Sequence, residues 1–261
     1  MTAVSLTEDP SVAAERRDDA FYVVIAASAV LLAFGGFAGT YWLQVPAGTF
    51  IGHPIVHLHA ILFSAWPIFF LTQTLMIASG KVAYHRALGL VGISLATAMI
   101  FVGLAAAIDS VNVGLSMGFG DGVRSFMIVP VTALFVFGGF VGAAIANIAR
   151  PDWHKRFLIV ATAFILGAAI ARVFFLVAAH GGGPGMRPGL APPISVSLAL
   201  GPGLIGELLV IAGMIYDWRT RGKPHSAYVI GLVVSVAVML LRTPLSETQA
   251  WSDFTRFLGG F

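Results

Sequence analysis

Seven histidines stand out as the reactive side chains of a 261-residue chain that has no cysteine. Without thiols there are no disulfides, no iron–sulfur ligation and no cysteine nucleophile. Three of the histidines fall within "HPIVHLHAILFSAWPIFFLTQ", residues 53 to 73. His53 and His57 are four apart, the spacing of a helical metal-ligand pair. No glutamate lies between them and residue 54 is proline, so the zinc-protease pattern is missing. With His180 as a third outer ligand they read as a candidate site for a divalent metal that would activate water. His59 lies roughly opposite His57, and steps of seven lead from it to Trp66 and Gln73, one stripe on a helix. A row of hydrogen-bonding side chains in a lipid-embedded helix should turn inward. There it either lines a cofactor pocket or bonds neighbouring helices to fix their packing.

His85, His154 and His225 open helices within "YHRALG", "DWHKRF" and "KPHSAY". Their basic neighbours mark a membrane interface. If the helices begun by His85 and His154 pack face to face, the two rings can grip a haem iron between them. Three charges lie deep in apolar sequence: Glu207, Arg172 and Arg242. Such groups mark an ion path, a proton site or a ligand counter-ion. The competing reading is a structural pair between Glu207 and an arginine, with Arg172 in reach. Asp109, Asp217 and Glu247 read as terminal residues that need no special role.

The elements that must hold these groups follow from composition. The chain is 58% hydrophobic and only 10% charged, against about 25% charged for a soluble domain. Most of its surface must therefore face lipid. Nothing in a net charge of +3 points to nucleic acid. About 20 apolar helical residues cross a bilayer core, and seven stretches are long enough: about 21–45, 56–79, 87–108, 126–148, 157–179, 194–216 and 227–244. They are longer and more continuous than barrel strands. The expected fold is all-α, a seven-transmembrane helix bundle.

Lys81, Arg86, Arg150, Lys155, Arg156, Arg219, Arg221 and Lys223 crowd the turns after the second, fourth and sixth segments. The other connections carry none, Arg124 and Arg187. This bias puts the N-terminus in the cytoplasm and the C-terminus outside. The chain then divides into a polar cytoplasmic tail (1–20), the seven-helix domain (21–247) and a short amphipathic outer tail (248–261), with Trp251, Phe254 and Phe257 toward the interface. The outer connection "HGGGPGMRPGLAPP" is too rich in Gly and Pro for a helix.

The run "VHLHAILFSAWPIFFLTQTLMIASGKVAYHRALGLVG", with the later "RPDWHKRFL" and "RTPLSETQAW", resembles an uncharacterised bacterial multi-pass membrane family. That resemblance implies the architecture and a bacterial cytoplasmic membrane, and brings no activity. More remotely the chain is similar to cytochrome b561-type proteins, in which histidines on four consecutive helices hold two haems. His57 or His59, His85 and His154 match three of those positions, whereas the fourth segment has no histidine. The His85/His154 pair is what remains of that pattern, and an outer haem would need another partner such as His180. Three functions stay open. One is b-type haem electron transfer with quinol. Another is a cofactor-free ligand-binding or accessory role in a larger membrane complex. The third is a metal-dependent hydrolase using His53, His57 and His180.

Overall fold

A computed structural model describes residues 10–181 and 183–259. The described chain is all helical, and seven helical spans are long and apolar enough to cross a membrane. Leu31, Phe101 and Phe135 are 74%, 70% and 74% exposed. So many bare apolar side chains are tolerable only against lipid. The protein is a multi-pass membrane protein.

The first span is α1 (Pro10–Phe37), which continues through a π-helical turn at Ala38–Trp42. Residues 10–20, read from sequence as tail, are thus part of this helix, and residues 1–9 lie outside the described residues. Next come α2 (Pro54–Ala78) and α3 (Val82–Ser116). The fourth span is broken into α4 (Gly122–Phe126) and α5 (Ile128–Ala146), and α6 (Pro151–Ala178) is the fifth. The sixth is also broken, into α7 (Leu200–Gly206) and α8 (Leu208–Arg221). The last span is α9 (Ser226–Ser246), followed by α10 (Gln249–Gly259).

Local chemistry explains several of these limits. Pro54 and Pro151 open their helices, where a missing N–H costs nothing. Gly222 closes α8 in the left-handed conformation (φ 78°), its N–H bonded to the Trp218 carbonyl. At 35 residues α3 outruns its expected end at residue 108 by two turns. Those added turns carry Asp109, Ser110 and Asn112 on a rigid element.

Packing joins α1 to α2, α2 to α3, α3 to α5, α5 to α6, and α6 back to α1. The result is a closed ring of five helices. The α7, α8 and α9 helices pack on the outer side of α6. Small residues let the backbones approach closely. A Cβ on Gly36 would come within 2.4 Å of the Ala169 carbonyl, and one on Gly206 within 2.8 Å of the Ala163 carbonyl. The two faces of α6 are thereby committed, one to α1 and the other to α7.

Candidate functional site

The stripe on α2 points into the ring. Trp66 and Gln73 are 3% and 7% exposed. The Trp66 indole N–H donates to Thr162 of α6 at 3.0 Å, and its ring meets Phe137 of α5 edge-on at 4.8 Å. Trp66 therefore closes the middle of the ring, touching two helices from a third. Gln73 differs: both its amide atoms are buried with no hydrogen-bond partner.

Beyond Gln73, at the end rich in lysine and arginine, two imidazoles face one another. His85 (α3) and His154 (α6) have ring centroids 6.3 Å apart, with the planes at 88°. The His154 Nδ1–H donates to the Ala144 carbonyl at 2.9 Å, and that carbonyl accepts. This bond orients the ring and leaves Nε2 as the nitrogen available to a ligand. His85 rests against the backbone of Gln73, and its Nδ1 is buried without a partner. The two rings are close enough that both could reach one iron held between them. Arg86 acts on His85 electrostatically, and Arg150 caps α6 one turn before His154.

At the opposite end the outer histidines separate. His53 is the extended residue before Pro54 (ψ 158°), not a helical one, so the four-residue spacing does not put it on the face of His57. Its Nδ1–H donates to Asp109 of α3 at 2.5 Å, while the Tyr41 hydroxyl of the π-helical turn and His57 Nδ1 are hydrogen-bonded at 2.8 Å. His180 ends α6 as a left-handed residue (φ 51°) with an exposed side chain. The expected metal triad of His53, His57 and His180 is not assembled. Among the described residues no three His, Asp or Glu side chains form a metal-binding group.

His59 stacks on Phe63 with centroids 4.0 Å apart, and its Nδ1 is buried without a partner. Arg172 of α6 lies within electrostatic range of it, over the Phe37 ring at 5.5 Å. The expected Glu207–Arg172 pair does not form. Arg172 follows Ala169, on the face that meets α1, whereas Gly167 meets α7 from about 140° further round the helix.

Glu207 instead sits at the α7–α8 break, 1% exposed, with both carboxylate oxygens unpartnered. Ser235 of α9 is its polar neighbour, close enough to influence it but outside hydrogen-bond geometry. Arg242 is satisfied by α5: it donates to Thr132 at 2.8 Å and to the Val129 carbonyl at 3.3 Å, over the Phe164 ring.

Sequence reading missed three important groups. Asp217, taken as terminal, is 0% exposed and accepts from Arg156 at 2.8 and 2.6 Å and from Arg221 at 2.7 Å. Arg221 also pairs with Asp18 of α1. Asp109, likewise dismissed, holds His53. Arg187, in the Gly/Pro-rich connection, reaches back over the Phe50 ring. Burial keeps its guanidinium below the ordinary value, and Asp109 acts against that shift. No sequence signal marked Arg187, since loop arginines are usually solvated.

No family model, curated protein or solved structure matches this chain.

Proposed function

We propose that this is a haem-binding electron-transfer protein of a bacterial cytoplasmic membrane, with one b-type haem held between His85 and His154 near the cytoplasmic face. The observation that carries the reading is the facing of those two rings at 6.3 Å, from helices 69 residues apart in sequence. Here the Ala144 carbonyl takes one nitrogen of His154 and leaves the other free, the arrangement of an oriented metal ligand.

The surroundings fit the same group. Gln73 offers a buried amide donor and acceptor, both unused. Arg86, Arg150 and Lys155 supply cations at the same end, suited to the propionates of a haem. Trp66, Phe137 and Phe140 close the ring beyond the pair with apolar surface and exclude water. A haem bound there would supply one-electron transfer, and a lipid-soluble quinol is the matching electron donor for a centre at membrane depth.

The test is the haem content of protein expressed with ample haem and purified in neutral detergent. One haem per chain is expected, lost in His85→Ala and in His154→Ala and kept in His57→Ala and His180→Ala. A wild-type protein without haem, or with haem indifferent to both changes, rejects the reading.

A further inference from the structure

Arg172 is a cation without an acid. Among the described residues its charged neighbours are Arg187 and His59, and no carboxylate faces it. Phe37 supplies only the face of a ring. Arg187, the second cation, has a buried Nε with no partner, and Asp109, its acidic neighbour, is already bonded to His53. His59 adds a buried, unpartnered ring nitrogen. Arg172 and Arg187 act on each other electrostatically, and the one carboxylate beside the pair, Asp109, is shared with His53. Partly buried cations in an apolar mouth are costly unless a further negative group offsets them.

The backbone around this mouth is also irregular. The π-helical turn Ala38–Trp42 of α1 lies directly after Phe37, and such turns recur at functional sites. The loop bearing Arg187 is drawn down onto it: the Gln44 amide N–H donates to the Met186 carbonyl at 2.9 Å. Depth then narrows the occupant. Arg172 is six residues from the end of α6, about 9 Å along the helix, which is within reach of the head groups of one leaflet. Val173, next to it, is 46% exposed on the lipid side.

We infer that Arg172, Arg187 and His59 form a binding site for the oxyanion head of an anionic amphiphile, with the acyl chains running along the lipid-facing side of α6. The site is independent of the histidine pair at the other end of the ring. Its guanidinium forks suit phosphate geometry, and the same chemistry would take a free phosphate, so the experiment separates the two sources.

Delipidated protein in neutral detergent is heated with phosphatidylglycerol, with phosphatidylcholine or with inorganic phosphate, and the unfolding midpoint is followed against concentration. Phosphatidylglycerol raises the midpoint and phosphatidylcholine does not. Loss of one charge-assisted contact weakens the apparent affinity about ten-fold or more in Arg172→Gln and in Arg187→Gln. Arg219→Gln, an exposed cation at the opposite end, leaves it unchanged. Stabilisation by phosphate at the same arginines assigns the site to a free oxyanion; stabilisation by lipid alone assigns it to a head group. If neither anion stabilises the wild type, or all three variants respond as it does, the site does not exist. Should Arg172→Gln not fold, Arg187→Gln, in a loop outside the spans, and the wild-type titrations still decide.

Discussion

Two arginines on one helix carry opposite lessons. Arg156, in the second turn of α6, is 0% exposed and bonded twice to an equally buried Asp217. Arg172, sixteen residues on, lies over the Phe37 ring within electrostatic range of another arginine and a histidine. The first is part of a finished network in which Asp217 also accepts from Arg221, which in turn pairs with Asp18. That network ties α1, α6 and α8 together and asks for nothing further. The second group has no acid of its own, and the Gln73 amide, the Glu207 carboxylate and Nδ1 of His85 are likewise buried without partners. In a lipid-embedded bundle a polar group with all its partners is structure, and one without them costs free energy unless something else supplies the partner.

The sharpest break in that comparison is Asp217→Asn. Removing the acid leaves the buried guanidinium only the exposed Asp152, which it meets at 3.1 Å, and should destabilise by up to about 3–5 kcal/mol, read as a large drop in the unfolding midpoint in detergent. Glu207→Met tests the other half. The two side chains are similar in volume, and the change removes two unsatisfied buried oxygens. It should stabilise by about 1–3 kcal/mol. A fall in the midpoint would mean that Glu207 has a partner after all.

Trp66→Phe is milder. It keeps the contact with Phe137 but strands the Thr162 hydroxyl, for a loss of about 1 kcal/mol.

The smallest effect is a pH slope from His225. Burial first, and Arg156 second, push its ring below the ordinary value of 6.5, while Asp217 and Asp152 act in the opposite direction. Its Nδ1 accepts from the Ala227 N–H at 3.1 Å, a role that needs the unprotonated nitrogen. The unfolded chain therefore takes up this proton first. Stability should hold above about pH 6.5 and decline as pH falls below it. Unfolding midpoints compared across that window should show a shallower decline in His225→Gln.

The bundle was legible because scarcity of charge and the length of apolar runs leave few alternatives. The inward set His59, Trp66 and Gln73 was read from period alone, since a seven-residue step on one helix needs no knowledge of its neighbours; Trp66 and Gln73 are buried and His59 is partly exposed. Pairings between helices were not. His53 fell off the face of His57 because a residue before proline is extended, a detail that spacing alone ignores. Asp217 looked like an ordinary helix-end carboxylate until packing brought α8 against α6. Arg172 was expected to find Glu207, yet the face it shares with Ala169 belongs to α1. Which of two faces a helix gives to which neighbour is decided by close glycine contacts, and these are written across several segments at once.

Haem ligation by His85 and His154 is tested most directly by the visible spectrum of the purified wild-type protein, reduced minus oxidised, after expression with haem. A Soret band and the sharp α band of a six-coordinate, low-spin haem are expected, both abolished when His85 and His154 are replaced together by alanine. A colourless wild type, or an unchanged band in the double variant, would contradict it.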